Sequence, residues 1–263
     1  MLEIIDPQLI LAVLIAITAA ALTSYVGFGG ALIMVPLFTI LFGPVDAIAI
    51  TTLCSVLSLS PVVFKVARDV EWSQALPLSI GIIISNTVGV IFLTSADPSF
   101  VVFGIGLFVL VSGCILMSGF SYRGPRNRTT SVILGVICGS VMGGFGVPSG
   151  PILVVYFLAA PITATAQRAN ILFPIWVMCL VTASSLGILG EIENKVLLLS
   201  CLILPFSLFG AWLGSNIFKK APVSWFKTLA NWLLIVIGAS LLLNQIFLIL
   251  SLIHISEPTR LHG

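Results

Sequence analysis

The sequence GFGGALIMVP at residues 27–36 interrupts one apolar stretch, and GFGVPSGPILV at residues 144–154 interrupts another in the second half of the chain. Apolar sequence resumes after each of these glycine-rich breaks. A broken helix leaves backbone N–H and C=O groups unpaired, which lipid tolerates only where protein or a polar cavity satisfies them. Helix breakers at matching places in two halves of a membrane-embedded chain therefore predict a central binding site between the halves.

The composition is that of an integral membrane protein. Hydrophobic residues make up 59% of the 263 residues and charged residues 8%, whereas an average soluble domain has about 25% charged residues. Mean hydropathy is +1.23. The formal net charge of +2 gives no reason to expect a nucleic-acid partner, and the five isolated cysteines lack metal-ligand spacing. We therefore expect a lipid bilayer and a small ligand as partners, with no metal and no cofactor; the oligomeric state stays open.

Eight apolar segments are long enough to cross a bilayer, which takes about 20 helical residues. They lie near 9–26, 46–64, 74–94, 100–119, 131–147, 166–189, 196–217 and 224–249. Two shorter apolar pieces, near 30–42 and 150–159, follow the glycine breaks and are predicted to be half-helices that reverse the chain. The predicted fold is an all-α polytopic membrane protein with about eight transmembrane helices and two half-helices.

The basic residues predict the orientation of the chain. If each short piece reverses the chain, nine basic residues share one face and only Lys195 lies on the other, leaving aside the C-terminal tail. By the positive-inside rule the face with nine basic residues is cytoplasmic. The nine are Lys65, Arg68, Arg123, Arg126, Arg128, Arg168, Lys219, Lys220 and Lys227.

The same arrangement, in which each short piece reverses the chain, also predicts two inverted repeats. Each half then has five membrane segments, an odd number, so the halves insert with opposite orientation. We expect a first transmembrane repeat at 1–120, a cytoplasmic basic linker at 121–130 and a second repeat at 131–249. The two small-residue pairs Ser85/Gly89 and Gly210/Gly214 occupy similar places in the two halves, and such spacing also suits close helix packing.

The C-terminal tail has a different character from the rest of the chain. Residues 250–260, LSLIHISEPTR, are what the transposase adapter of sequencing libraries encodes when it is read in frame. We expect residues 250–263 to be adapter read-through rather than native protein, and exclude them from functional reasoning. His254 and His262, the only histidines in the chain, are excluded with them.

The glycine-rich motifs resemble those of the TauE/SafE family of membrane transporters. Gly-Phe-Gly-Gly followed by Val-Pro forms the first motif, and the second copy continues through Gly150-Pro151 and Tyr156 to Gln167-Arg168-Ala169. The resemblance spans about residues 5–248. It implies two repeats in a bacterial inner membrane and the transport of small anions, such as sulfite or organosulfonates, most simply exported by alternating access. A channel-like anion pathway and an uptake carrier for another organic anion stay open as alternatives.

The candidate substrate-binding residues lie at the two breaks and in the segments that follow them. A helix N-terminus offers free N–H groups and about half a positive charge to an anion, and a guanidinium can hold an oxyanion with forked hydrogen bonds. The candidates are Gly27, Gly29, Gly30, Thr51, Thr52, Gly146, Ser149, Gly150, Arg168 and Asn170.

These residues also have simpler interpretations. The glycines can serve only close helix crossing, Arg168 can be a topology anchor, and the polar side chains can bond across helices. The binding hypothesis predicts that Gly30→Leu abolishes transport while expression stays intact.

An intramembrane enzyme is not expected. Ser149-Gly150 faintly resembles a serine protease motif, but Val147 stands where that motif needs glycine and both histidines lie in the tail. The sequence also has no HExxH motif and no intramembrane pair of aspartates. No acidic residue lies deep in a predicted span, so proton coupling through a buried carboxylate has no candidate either.

Overall fold

Ten α-helices and no strand make up the residues described by the structure, a computed structural model covering 7–26, 29–218 and 231–245. A single 3-10 turn, Ala67–Asp69, follows the third helix. In chain order the helices are α1 (Pro7–Val26), α2 (Gly30–Phe42), α3 (Pro44–Val66), α4 (Trp72–Ser95), α5 (Pro98–Ser118), α6 (Arg128–Phe145), α7 (Gly150–Leu158), α8 (Ala164–Leu189), α9 (Asn194–Phe218) and α10 (Asn231–Gln245).

Six of these helices are long and apolar enough to cross a membrane: α3 with its 3-10 turn, α4, α5, α6, α8 and α9. Large apolar side chains cover their outward surfaces, with Ile188 86% and Leu198 71% exposed, as expected for contact with lipid. α1 and α10 lie in the first and last predicted spans, beside residues outside the described ranges. The total of eight transmembrane helices therefore stays a prediction, whereas the short helices α2 and α7 lie where they were expected.

Both short helices fold back along the helix that precedes them. Ser149 Oγ donates to the Cys138 carbonyl at 3.0 Å, and Cys138 lies in the middle of α6, so the chain after α6 returns to mid-depth before α7 begins. Likewise Gly30 lies against the Ala19 backbone and the Thr23 side chain of α1. The reversal predicted at each glycine break is therefore present in the structure.

Charged residues separate onto two faces of the molecule. On the basic face, the turn between α3 and α4 meets the start of α8, where the Glu71 N–H donates to Asn170 Oδ1 at 3.0 Å. On the acidic face, the start of α3 lies near the start of α9, since Asp46 interacts electrostatically with Glu193 and Lys195. We call these ends the basic and acidic faces below.

Two apolar clusters hold the helices together. The larger one joins α1, α2, α3 and α5 around Phe38, Ile48 and Ile105, all of which have 0% exposure. The second joins α6, α7 and α8 around Phe157 and Met178, which are also fully buried. The half-helices are therefore packed inside protein rather than against lipid, as their broken ends require.

Three helix pairs, α4 with α6, α1 with α9 and α5 with α10, pack backbone to backbone. At each contact a Cβ added to a glycine would overlap the neighbouring helix, so small residues permit the close approach. The glycines are Gly81, Gly89, Gly135, Gly139 and Gly143 for the first pair, Gly210 and Gly214 for the second, and Gly106, Gly113 and Gly238 for the third.

The loop between α5 and α6 holds the C-terminal end of α7. Arg126 Nη2 donates to the Tyr122 carbonyl at 2.6 Å, and its Nε and Nη2 donate to the Tyr156 carbonyl at 3.3 and 3.2 Å. The rings of Tyr122 and Tyr156 stack with centroids 5.3 Å apart. We call this arrangement the Arg126 clasp. The loop spans 119–127, because α6 begins at Arg128 rather than at 131.

Candidate functional site

A cavity of about 160 Å³ lies where the two half-helices begin. The first glycine break contributes Gly29 and Gly30 to its wall, and the second contributes Pro148 and Gly150; α1, the rest of α2, α3, α8 and α9 supply the remainder. Because a water molecule occupies about 30 Å³ in the liquid, this space accommodates a small anion together with some water. The two breaks, 120 residues apart in sequence, thus meet at one cavity.

Neither half-helix has a side chain capping the N-terminus that faces this cavity. The first turns of α5, α6 and α8 are capped by Asp97, Asn127 and Thr163. No side chain caps α2, α3, α4 or α7, and of these four α2 and α7 begin at the cavity. Uncapped N–H groups and the positive ends of two helix dipoles consequently converge on the cavity.

The residues that precede the two half-helices explain the missing caps. Gly29 has a φ of +104°, a left-handed conformation that only glycine adopts readily, and it has no side chain. Ser149 has a suitable hydroxyl, but that hydroxyl donates to the Cys138 carbonyl instead. Backbone N–H groups therefore stay free of a side-chain cap at both ends, and α7 offers one fewer than α2 because Pro151 in its first turn has no N–H.

One residue of the cavity wall carries a buried hydroxyl without a partner. Ser207 of α9 lines the cavity, is 6% exposed, and its Oγ has no hydrogen-bond partner in the described part of the chain. Most buried hydroxyls are paired, so an unpaired one beside a cavity indicates a place for a ligand or a water molecule. In contrast, Thr23 Oγ1 donates to the Ala19 carbonyl at 3.0 Å and Ser58 Oγ to the Ser55 carbonyl at 3.3 Å.

The cavity opens to the basic face. Arg168 lies on its wall in the first turns of α8 and is exposed, whereas Leu172, Ile175 and Cys179 line it progressively deeper along the same helix and are buried. An exposed guanidinium at the mouth of the cavity attracts anions from that face and can donate to an oxyanion as it enters.

The cavity is closed toward the acidic face. Among its lining residues, Cys54 of α3 and Cys179 of α8 each lie ten residues, or about 15 Å, from the acidic-face end of their helix, and Met34 of α2 lies eight residues, or about 12 Å, from its end. Ile48, with 0% exposure, fills the space beyond them and contacts Gly146. The cavity thus reaches roughly half-way through the molecule and has access to one side only.

The structure brings together some of the candidate residues and not others. Gly29, Gly30, Gly150 and Arg168 line the cavity. Gly27 lies outside the described residues. Thr51, Thr52, Gly146, Ser149 and Asn170 lie off the cavity wall and, Gly146 apart, are at most 1% exposed.

The candidates off the wall have other contacts. Thr52 Oγ1 donates to the Ile48 carbonyl of its own helix at 2.8 Å, and Gly146 ends α6 with a φ of +66°. Thr51 Oγ1 and Asn170 Nδ2 are buried and have no partner among the described residues. Their roles in binding stay predictions, and the arrangement gives them no direct contact with the cavity.

Sequence reasoning did not single out Ser58 and Ser207. Ser55 and Ser58 are three residues apart and therefore share one face of α3, which is a usable signal for a polar helix face. Ser207 stands alone in apolar sequence, and only the packing of α9 beside α1 and α3 shows that it faces the cavity.

Comparison with known proteins identifies the family of this chain. The family model described as sulfite exporter TauE/SafE matches residues 12–241, nearly the whole chain. The protein belongs to the TauE/SafE family. No match was found among curated proteins or among solved structures.

Membership of the TauE/SafE family confirms the resemblance drawn from the glycine motifs. The chain is a multi-pass membrane protein of a transporter family, in agreement with its six apolar helices of membrane-spanning length. Family members are transporters rather than enzymes. Among the described residues, no group of three or more His, Cys, Asp or Glu side chains is placed to hold a metal ion.

Proposed function

We propose that this TauE/SafE protein exports a small sulfur-containing anion, sulfite or an organosulfonate, across a bacterial inner membrane by alternating access. The observation that carries the proposal is the convergence of two uncapped half-helix N-termini, from Gly30 and Gly150, on one cavity with Arg168 at its mouth. Backbone amides and helix dipoles favour an anion at that point without a buried countercharge.

Export is the direction that the energetics favour. Moving one charge through 100 mV is worth about 2.3 kcal/mol, so an anion leaving a negative cell interior gains free energy from the membrane potential alone. A cavity open to the basic face, which the positive-inside rule assigns to the cytoplasm, suits loading from inside. Among the described residues no acidic side chain lines the cavity, and export driven by the membrane potential needs no proton-coupling carboxylate.

The closed acidic end favours a carrier over a channel. About 12–15 Å of protein separates the deepest cavity residues from the acidic-face ends of α2, α3 and α8. An open anion pathway needs a continuous aqueous route, whereas a carrier exposes its site to one face at a time.

Helix positions and helix pairs support two inverted repeats. α2 and α7 begin 120 residues apart, at Gly30 and Gly150, and so do α3 and α8, at Pro44 and Ala164. Suppose that α1–α5 of the first repeat correspond in order to α6–α10 of the second. The close pair α4–α6 then corresponds to the pair α9–α1, and the pairs α3–α8 and α5–α10 each correspond to themselves. All these pairs are in contact. Such symmetry gives a carrier two conformations related by a pseudo-two-fold axis in the membrane plane.

Sulfite efflux from proteoliposomes with an imposed membrane potential tests the proposal. Comparing Ser207→Ala with its control Ser79→Ala tests whether the cavity is the binding site. Both serines are 6% exposed with unpaired hydroxyls, but only Ser207 lines the cavity. A hydrogen bond to a charged group is worth about 1.5–3 kcal/mol, so we expect Ser207→Ala to raise KM at least about tenfold and Ser79→Ala to leave it unchanged.

Arg168→Lys provides a second arm of the same experiment. A lysine keeps the charge but cannot form the forked hydrogen bonds of a guanidinium, so we expect a higher KM; an unchanged KM would assign Arg168 to topology alone. Saturable, potential-dependent efflux supports the carrier. Absence of sulfite efflux from folded protein, with organosulfonates also inactive, would reject the proposed substrate class.

A further inference from the structure

A buried hydrogen-bonded group joins α4 to α8 at the closed end of the cavity. Asn86 Nδ2 donates to the Met178 carbonyl at 3.0 Å, and Thr182 Oγ1 donates to Asn86 Oδ1 at 3.0 Å. All three residues have 0% exposure and none lines the cavity. We call Asn86, Met178 and Thr182 the Asn86 group. Two aliphatic side chains would fill this space without the cost of burying an amide and a hydroxyl, so the presence of polar side chains here needs an explanation.

Repeat correspondence relates this group to the other half of the molecule. The 120-residue offset between α3 and α8 assigns Met178 to Ser58 and Thr182 to Val62. For α4 and α9 the offset is 125, because Gly89 and Gly214 take equivalent places in their helix pairs.

The helix contacts support the second offset. Gly89 of α4 packs on Gly143 of α6, and Gly214 of α9 packs on Ala21 of α1, so each glycine lies where the fourth helix of one repeat crosses the first helix of the other. This offset assigns Asn86 to Ala211.

Every counterpart of the Asn86 group lines the present cavity: Ser58, Val62 and Ala211. We propose that Asn86, Met178 and Thr182 form the acidic-face gate of this transporter and line the substrate path when the cavity opens to that face. This inference rests on the proposed alternating access. It identifies the residues on the closed side that move apart when the cavity opens to the acidic face.

The chemistry of the gate differs from that of the present opening. On the basic side the counterparts of Asn86 and Thr182 are the apolar Ala211 and Val62, and Arg168 supplies the charge. An open acidic side would instead present an amide N–H₂ and a hydroxyl, freed from each other, to the departing anion. Neutral donors hold an oxyanion less strongly than a guanidinium does, so this arrangement favours release at the acidic face.

Thiol labelling tests the gate without any transported substrate. Thr182→Cys and Ile105→Cys are compared in sealed membrane vesicles, with a membrane-impermeant thiol reagent added at the acidic face. Thr182 and Ile105 are both fully buried and lie seven residues from the acidic-face ends of α8 and α5, but α5 contributes nothing to the cavity. Peptide-level mass spectrometry distinguishes the new cysteine from the native ones.

We expect Thr182→Cys to be labelled at least about tenfold faster than Ile105→Cys. A minor open state is commonly populated at about 0.1–10%, whereas Ile105 becomes accessible only on unfolding. Ser58→Cys, labelled from the basic face, verifies the orientation of the vesicles. Equal labelling of Thr182→Cys and Ile105→Cys would overturn the gate.

Thr182→Val gives a second measurement that does not depend on a new cysteine. It removes the hydrogen bond to Asn86 at nearly constant volume, and such bonds between membrane helices are worth about 0.6 kcal/mol, or about threefold in an equilibrium. Native Cys179, at the bottom of the cavity, should be labelled from the acidic face about threefold faster; an unchanged rate would refute a latch role for this bond.

The two proposals fail in different ways. Labelling of Thr182→Cys without sulfite efflux would reject the substrate and retain the gate. Sulfite efflux without labelling of Thr182→Cys would retain the carrier and reject the gate.

Discussion

The half-helices α2 and α7 reach the same cavity but differ in how they are held. α2 has 13 residues and is packed along its length, with Val35 and Phe38 fully buried. α7 has only 9 residues, and the Arg126 clasp binds its C-terminal end through the Tyr156 carbonyl. Both half-helices are thus supported by apolar packing, and α7 is held in addition by hydrogen bonds that an arginine donates to its last turn.

Gly30→Leu is the change with the largest expected effect on this comparison. A side chain at residue 30 would overlap the Ala19 carbonyl and the Thr23 side chain of α1, and overpacking costs about 1–3 kcal/mol or more. We therefore expect both transport and the yield of folded protein to fall, measured by sulfite efflux and by size-exclusion chromatography of the solubilised protein. This differs from the expectation drawn from sequence that expression would survive.

Gly29→Ala is the control for that prediction. A Cβ at Gly29 meets no atom within 4 Å, but its φ of +104° makes any side chain strained, by about 1–2 kcal/mol. A yield for Gly30→Leu as high as that of the wild type would show that α2 is not held by its contact with α1.

Arg126→Gln should weaken α7 and leave α2 in place. The substitution removes charge-assisted hydrogen bonds to the carbonyls of Tyr122 and Tyr156, and bonds to charged groups contribute about 1.5–3 kcal/mol. We expect a lower thermal unfolding temperature and slower efflux. Arg123→Gln, an exposed neighbour on the same loop, is the matched control, and equal unfolding temperatures for the two variants would deny the clasp a stabilising role.

Tyr122→Phe is the smallest of the three effects. The lost hydrogen bond, from the Tyr122 hydroxyl to the Pro125 carbonyl at 3.2 Å, is exposed, and the ring still stacks on Tyr156. We expect a change within about 0.5 kcal/mol, measured as the unfolding temperature in detergent. A loss as large as that of Arg126→Gln would mean that the hydroxyl, rather than the guanidinium, organises the loop.

The positions of the half-helices could be predicted from sequence because glycine and proline act locally. A glycine-rich break ends one helix and starts the next whatever surrounds it, and the charge pattern then limits how the chain reverses. The starts of α2 and α7, at Gly30 and Gly150, accordingly agree with expectation.

The wall of the cavity could not be predicted in the same way. In helices such as α8 and α9 the apolar residues are spread over all sides, so no single polar stripe indicates which side faces inward. The proposed roles of Ser207 and Thr182 depend on which side of each helix is turned toward its neighbours. Ser149 shows the opposite outcome: it was expected to donate to a ligand, but the reversal after α6 places its hydroxyl on the Cys138 carbonyl.

The Arg126 clasp also bears on where the chain could be split between its two predicted repeats. The loop that connects them is bonded to α7, since the Tyr122 N–H donates to the Val155 carbonyl at 2.9 Å and Arg126 binds the Tyr156 carbonyl. If the gene were split so that the first polypeptide ended at Gly119, the Arg126 clasp would stay in the same polypeptide as α7. If the gene were split after Arg126, the clasp would lie on the other polypeptide. It would then contact α7 only after the two polypeptides had associated.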